Sequence, residues 1–281
     1  MYGYLRSWHL PLMLVAALLA PCSTAWAHGS LHTRIASLSE RIAVDPADKR
    51  LYAARAELEA EHGDMRAAQA DLAQVRRIDP AWPEADLVLA RCLLRNGKLE
   101  AAHVSITAFR TREPDSLEGV RVAAEISFRL KKWAAAESLY ARYVSQAERT
   151  EPDHYLRAAE AIAQQGKEHL TRALSLLDEG VVKLGDVPVL RERAIQLAMQ
   201  ADDHEGALRR VNAALAVARH AERWLALRGD ILCKLGQTER AQEAYRASLA
   251  AMAKRPEARR GSALVALRQR VEANLARLTK G

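Results

Sequence analysis

From residue 49 onward the apolar positions of the chain fall at helical spacing, and the helical runs come in pairs. Residues 51–64 read LYAARAELEAEHGD, where Gly63 supplies a left-handed stop for one helix and Asp64 can cap the next. The following run carries Ala68, Leu72 and Val75 on one face, the i, i+4, i+7 stripe of an amphipathic helix. Asp79-Pro80 closes it, because proline lacks the backbone N–H and disfavours helix in the residue before it. The same punctuation returns in Asn96-Gly97-Lys98, Gln165-Gly166-Lys167 and Leu235-Gly236-Gln237.

The pairs recur with a period of 34. Pro46, Pro80 and Pro114 stand at that spacing, as do Gly63 and Gly97, and Ala68, Ala102 and Ala136. Ala173, Ala207 and Ala241 continue the series after a single interval of 37. Each period also has a bulky residue early in its first helix (Tyr52, Tyr155, Trp224) and a small one a turn or so later (Ala56, Ala90, Ala124, Ala159, Gly229). A large residue follows the second-helix alanine by four: Leu72, Ile106, Tyr140, Leu177, Val211 and Tyr245.

On these residues the chain resembles the tetratricopeptide repeat (TPR) family. Six repeats are placed near residues 49–82, 83–116, 117–151, 152–187, 188–221 and 222–255. Lys131 replaces the turn glycine of the third, extra residues enter the fourth around Glu168-His169, and the fifth lacks both the aromatic and the glycine. The resemblance implies an all-α, right-handed α-solenoid of about six helix pairs, because one pair cannot bury its apolar stripe alone and must stack on its neighbours. A helix before the first repeat, with Ile35, Leu38 and Ile42 on one face, and one after Pro256, with Leu264, Leu267, Val271 and Leu275, are expected to cover the ends. The expected division is a signal peptide over 1–27, an N-terminal helix over 28–48, the TPR array over 49–255 and a C-terminal capping helix over 256–281.

The leader reading comes from Arg6, the nine-residue apolar run 12–20, and Ala25-Trp26-Ala27, an A-x-A cleavage site. Nine residues rise only about 14 Å as a helix, too short for a permanent span. Cleavage after Ala27 makes the chain periplasmic or secreted, with no further membrane association. An uncleaved anchor is the alternative, and so is acylation of Cys22, although Pro21 holds the place where a lipoprotein box carries a small residue.

Composition narrows the function. The chain is 49% hydrophobic, 5% aromatic and 27% charged, with a formal charge of +7. That excludes a disordered chain and a disulfide scaffold. Both signs are scattered with no long basic tract, which argues against nucleic acid. No phosphate loop, nucleophile elbow or H-E-x-x-H pair occurs, so an enzyme is not expected and no cofactor is assigned. Glu57, Glu59 and Glu61 beside Arg55 read as a solvated helix face. Cys92 and Cys233 are read as small buried hydrophobes lying several repeats apart. His28, newly N-terminal after cleavage, and His32 are candidate metal ligands, because an amine and imidazoles can chelate copper.

The resemblance implies a scaffold for protein partners. Its inner-face positions fall on Leu87, Arg91, Leu94 and Arg95 of the second repeat and on Arg121, Glu125, Phe128 and Arg129 of the third. Arginines interleaved with apolar residues suit a peptide or protein segment that is acidic and has apolar anchors. Ordinary pairing of these arginines with Glu84, Glu118 and Glu125 is the competing reading. A metal-handling protein using the N-terminal histidine and a lipid-anchored envelope assembly factor are the alternative functions.

Overall fold

A computed structural model describes residues 23–185, 187–255 and 261–280. The leader run and Cys22 lie outside the described residues, and so does the side chain of His28. Among the described residues there are fourteen α-helices and no strand. They belong to two compact units, one ending at Pro80 and one beginning at Ala81.

The first unit contains α1 (Ser23–Val44), α2 (Lys49–His62) and α3 (Met65–Ile78). Its boundaries follow from caps. The Asp48 side chain accepts from the Arg50 N–H, Gly63 ends α2 at φ 93°, and Asp64 accepts from the Ala67 N–H to start α3. Leu51, Ala56, Leu58, Ala68, Leu72 and Val75 are buried, each of the larger ones contributing about 1.5–3 kcal/mol of transfer free energy. A polar clasp lies among them. Arg55 donates to both oxygens of the buried Asp71 at 2.8 and 2.7 Å and to the Ser39 hydroxyl at 2.9 Å, so one guanidinium joins α1, α2 and α3. Arg55 thus turns inward, beside the glutamates that the sequence assigns to a solvated face.

The second unit repeats one theme. Its helix pairs are α4 (Glu84–Arg95) with α5 (Leu99–Arg112), α6 (Leu117–Arg129) with α7 (Trp133–Gln146), α8 (Pro152–Ala163) with α9 (Leu170–Leu184), α10 (Pro188–Gln200) with α11 (His204–Val217), and α12 (Glu222–Lys234) with α13 (Thr238–Ala253). α14 (Ser262–Lys280) follows and packs on α13. The period-34 alanines, Ala102, Ala136, Ala173, Ala207 and Ala241, are all fully buried. They let helices approach closely, while Ile106, Tyr140, Leu177, Val211 and Tyr245 fill the space one turn later. Gly229 is small because a Cβ there would come within 2.5 Å of the Tyr245 ring.

The departures from the repeat are absorbed locally. Lys131 and Asp202 take the left-handed conformation themselves, at φ 58° and 59°, where the other turns use glycine. The extra residues of the fourth repeat form a single 3-10 turn, Lys167–His169, between α8 and α9. In four of the five pairs a cation at the end of the second helix is also braced to the start of its own pair or to the stretch before it. Arg112 bonds the Ala81 carbonyl and Asp86, Arg142 the Pro114 carbonyl, Lys183 the Val144 carbonyl, and Arg255 the Glu222 carboxylate.

Candidate protein-binding face

In the second unit the first helix of each pair is buried on two sides, leaving one stripe. On α4, Ala85, Val88, Ala90, Cys92 and Leu93 face the core. Arg91, Leu94 and Arg95 occupy the remaining stripe, with Arg95 exposed and Leu94 half-buried. Leu87, expected on the same stripe, is only 6% exposed and packs inside, where it offers a partner almost no surface. α6 begins where the Ser116 hydroxyl accepts from the Gly119 N–H, and α4 and α6 touch directly.

The expected arginine row is a ladder of mixed charge. Arg121 donates to both Glu118 oxygens at 2.8 and 2.7 Å, and Arg91 reaches the same carboxylate at 3.1 Å. Burial acts to raise the Glu118 carboxyl, but the hydrogen bonds and charges of Arg121 and then Arg91 prevail and hold it below the usual range. Its hydrogen bond to Glu118 raises Arg121 in turn, against the cost of burial. Arg129 donates to the Leu94 carbonyl at 2.7 Å, bridging α6 to α4.

Glu125 anchors the next rung. It accepts from the Tyr140 hydroxyl at 2.9 Å and pairs with Arg157 of α8, which also reaches Asp153 at 2.7 Å. The Arg157 guanidinium lies 5.9 Å from the centre of the Phe128 ring, within cation–π range. Phe128 meets Trp133 and Tyr140 edge-on at 5.5 and 6.4 Å. Burial, then the Asp153 charge, pushes the Tyr140 phenol well above its ordinary range, so it stays a donor. His154 packs on Tyr143 at 4.7 Å, and burial together with the Arg121 charge lowers its affinity for a proton.

The structure therefore joins Arg91 to Arg121 through Glu118, and Phe128 to Glu125 through Arg157 and Tyr140. Arg157, Asp153 and Tyr140 are the members that sequence spacing did not nominate. Tyr140 was visible as the bulky residue after Ala136, but nothing in the periodicity marks its hydroxyl as the partner of an acid on the preceding helix.

The other candidates lie elsewhere. His32 on α1 meets His62 on α2 with ring centroids 4.5 Å apart, and His28 stands one helical turn before His32. Among the described residues no group of three or more His, Cys, Asp or Glu converges as metal ligands. Cys92 is buried, and the half-buried Cys233 thiol lies 3.6 Å from the Tyr245 hydroxyl.

The tetratricopeptide repeat family profile matches residues 59–115. Among solved structures, the chain resembles the C-terminal part of a TPR repeat-containing protein from Cytophaga hutchinsonii, at 13% identity and a TM-score of 0.63, over 84% of this chain and 96% of that one. It also resembles a TPR protein from Parabacteroides merdae, at 13% identity and a TM-score of 0.50, covering 92% and 97%. A third is YrrB, described as a TPR protein with an unusual peptide-binding site, at 11% identity and a TM-score of 0.52, covering 72% and 97%. No curated protein matches the sequence. Repeat profile over residues 59–115 and helix-pair architecture agree, and the chain has the fold of tetratricopeptide-repeat proteins.

Proposed function

We propose that this protein is a non-enzymatic scaffold that holds a protein or peptide segment against the stripe running across α4, α6 and α8. The observation that carries the reading is the half-buried pair Leu94 and Phe128 set among the exposed Arg95 and Arg129 and the Glu118 and Glu125 ladder. Apolar side chains left partly open inside a ring of charges form the usual anatomy of an interface core and rim. With Glu118 and Glu125 neutralising the arginines, this stripe suits a segment of mixed charge rather than a strongly acidic one. The peptide-binding site named for YrrB supports the reading by analogy of fold.

Photo-crosslinking side chains placed at Arg95 and Arg129, with Thr107 and Ser175 on the outer helices as controls, test it in cells that make the protein. Protein adducts from the α4 and α6 positions are the expected result. Adducts confined to the control positions would move the interface to the outer helices.

The scaffold is placed in the periplasm or outside the cell on the strength of the leader-like N-terminus. Among the described residues no helix is long and apolar enough to cross a membrane. N-terminal sequencing of the exported protein is expected to begin at His28; an intact Met1 or an acylated Cys22 would overturn that processing. The contact of His32 with His62 favours a second reading, metal handling by the first unit. Metal analysis of the purified protein and of His32→Ala decides it, since a stoichiometric metal lost in the variant is its signature.

A further inference from the structure

A cleft of about 920 Å3 opens at the C-terminal end of the second unit, between the starts of α10 and α12, the end of α11 and the first turns of α14. Five arginines line it: Arg191, Arg219, Arg223, Arg255 and Arg270. Glu192 and Glu222 also line it, so the wall keeps an excess of three positive charges over its acids. Arg223 pairs with Glu192, and Arg255 with Glu222. Arg270 leans on Asp230 at 3.5 Å, a pair more than half exposed on the arginine side.

The same cleft is apolar between the charges. Val217, Trp224, Leu264 and Leu267 face it. Among the described residues six large hydrophobic side chains are notably exposed, and one of them, Val217, lies in the lining beside Leu264 and Leu267. Exposed apolar groups gathered at one place mark a contact surface, whereas single scattered ones do not.

Size and chemistry select the occupant. A volume near the top of the roughly 300–1,000 Å3 range of ligand pockets is far larger than a lone phosphate or carboxylate needs. A wholly apolar ligand would cover the arginines and strip their water without replacing it. A peptide whose carboxylates alternate with apolar side chains meets both demands: the arginines grip carboxylates in a bidentate manner while Val217, Leu264 and Leu267 cover the apolar groups.

We propose that this cleft docks an acidic peptide segment of a partner protein, anchored by apolar side chains on the α12–α14 wall. The inference rests on the scaffold reading above but assigns the acidic segment to a different surface from α4 and α6.

The test is fluorescence anisotropy of the full-length mature protein with a short labelled peptide alternating glutamate with leucine, and with its counterpart bearing lysine for glutamate. The expected result is saturable binding of the acidic peptide alone, weakened about ten-fold or more by Arg219→Glu combined with Arg270→Gln. Val217→Gln removes an apolar anchor at a position already 53% exposed, so it should weaken binding with helix content unchanged even if the arginine variant folds poorly. Arg95→Glu with Arg129→Glu, which tests the α4 and α6 stripe, should leave acidic-peptide binding intact. Loss in that variant but not in the cleft variants overturns this proposal and leaves the scaffold reading standing. Equal binding of both peptides, full competition by inorganic phosphate, or binding of phosphatidylglycerol vesicles without the peptide would also overturn it.

Discussion

Tyr245 on α13 donates its hydroxyl to Asp230 on α12 at 2.7 Å. Fifteen positions separate the two, the same separation that joins Tyr140 to Glu125. In each case the next first helix completes the set: Arg157 of α8 reaches Glu125, while Asn274 and Arg270 of α14 reach Asp230. A phenol held within a helix pair thus presents an acid to a cation on the following element. Tyr245→Phe keeps the packing and removes the bond, so it should lower stability by about 1 kcal/mol. Chemical denaturation read by circular dichroism checks this, and Tyr140→Phe should show a similar loss.

Lys131 and Asp202 hold a backbone conformation that costs a residue with a Cβ roughly 1–2 kcal/mol. Lys131→Gly relieves it at an exposed site, offset in part by the greater freedom of glycine in the unfolded chain. A net gain of about 0.5–1 kcal/mol is expected, seen as a higher melting temperature. Asp202→Gly should behave alike, and a loss of stability in both would refute the strained-turn account.

Ala102 and Gly229 test close packing. Ala102 is fully buried, and a Cβ on Gly229 would press into the Tyr245 ring. Ala102→Leu and Gly229→Ala should each cost about 1–3 kcal/mol through overpacking. An unchanged denaturation midpoint for Ala102→Leu would mean that the repeat register is misassigned.

The acid pH limb tests the Glu118 ladder. Its carboxyl titrates below the ordinary 4.5 in the folded protein, so the unfolded chain binds the proton more readily. The stabilisation is therefore complete above about 4.5 and is lost as pH falls through the lower folded value. Glu118→Gln should be less stable than the parent near neutrality, and the gap should close as the pH falls below 4.5 and on through the lower folded value. A constant gap across that range would remove the two arginine pairs as its cause.

The helices and their order were legible from the period because alanine and glycine are demanded by close approach and by left-handed turns, constraints that recur in every repeat. Leu87 shows where the reading stopped. Its position in the repeat puts it on the open stripe, yet its burial depends on neighbouring helices that sequence spacing does not describe. Arg91 and Arg121 show a narrower limit in charge: their pairing with acids such as Glu118 was the competing reading of the sequence, but only the fold shows that both share that one carboxylate. The cleft beside α14 was hidden for another reason, since its arginines come from three helices and two of the stretches between helices and form no run along the chain.

The braces set by Arg112, Arg142 and Lys183 reach back to the stretch immediately before their own repeat, and that of Arg255 to the first residue of its own. Among the described residues none of these four braces skips over a neighbour, so tension on the C-terminal end would be borne by one clasp at a time. Under load the second unit would yield in steps of a helix pair, each release lengthening the chain while the pairs behind it keep their grip.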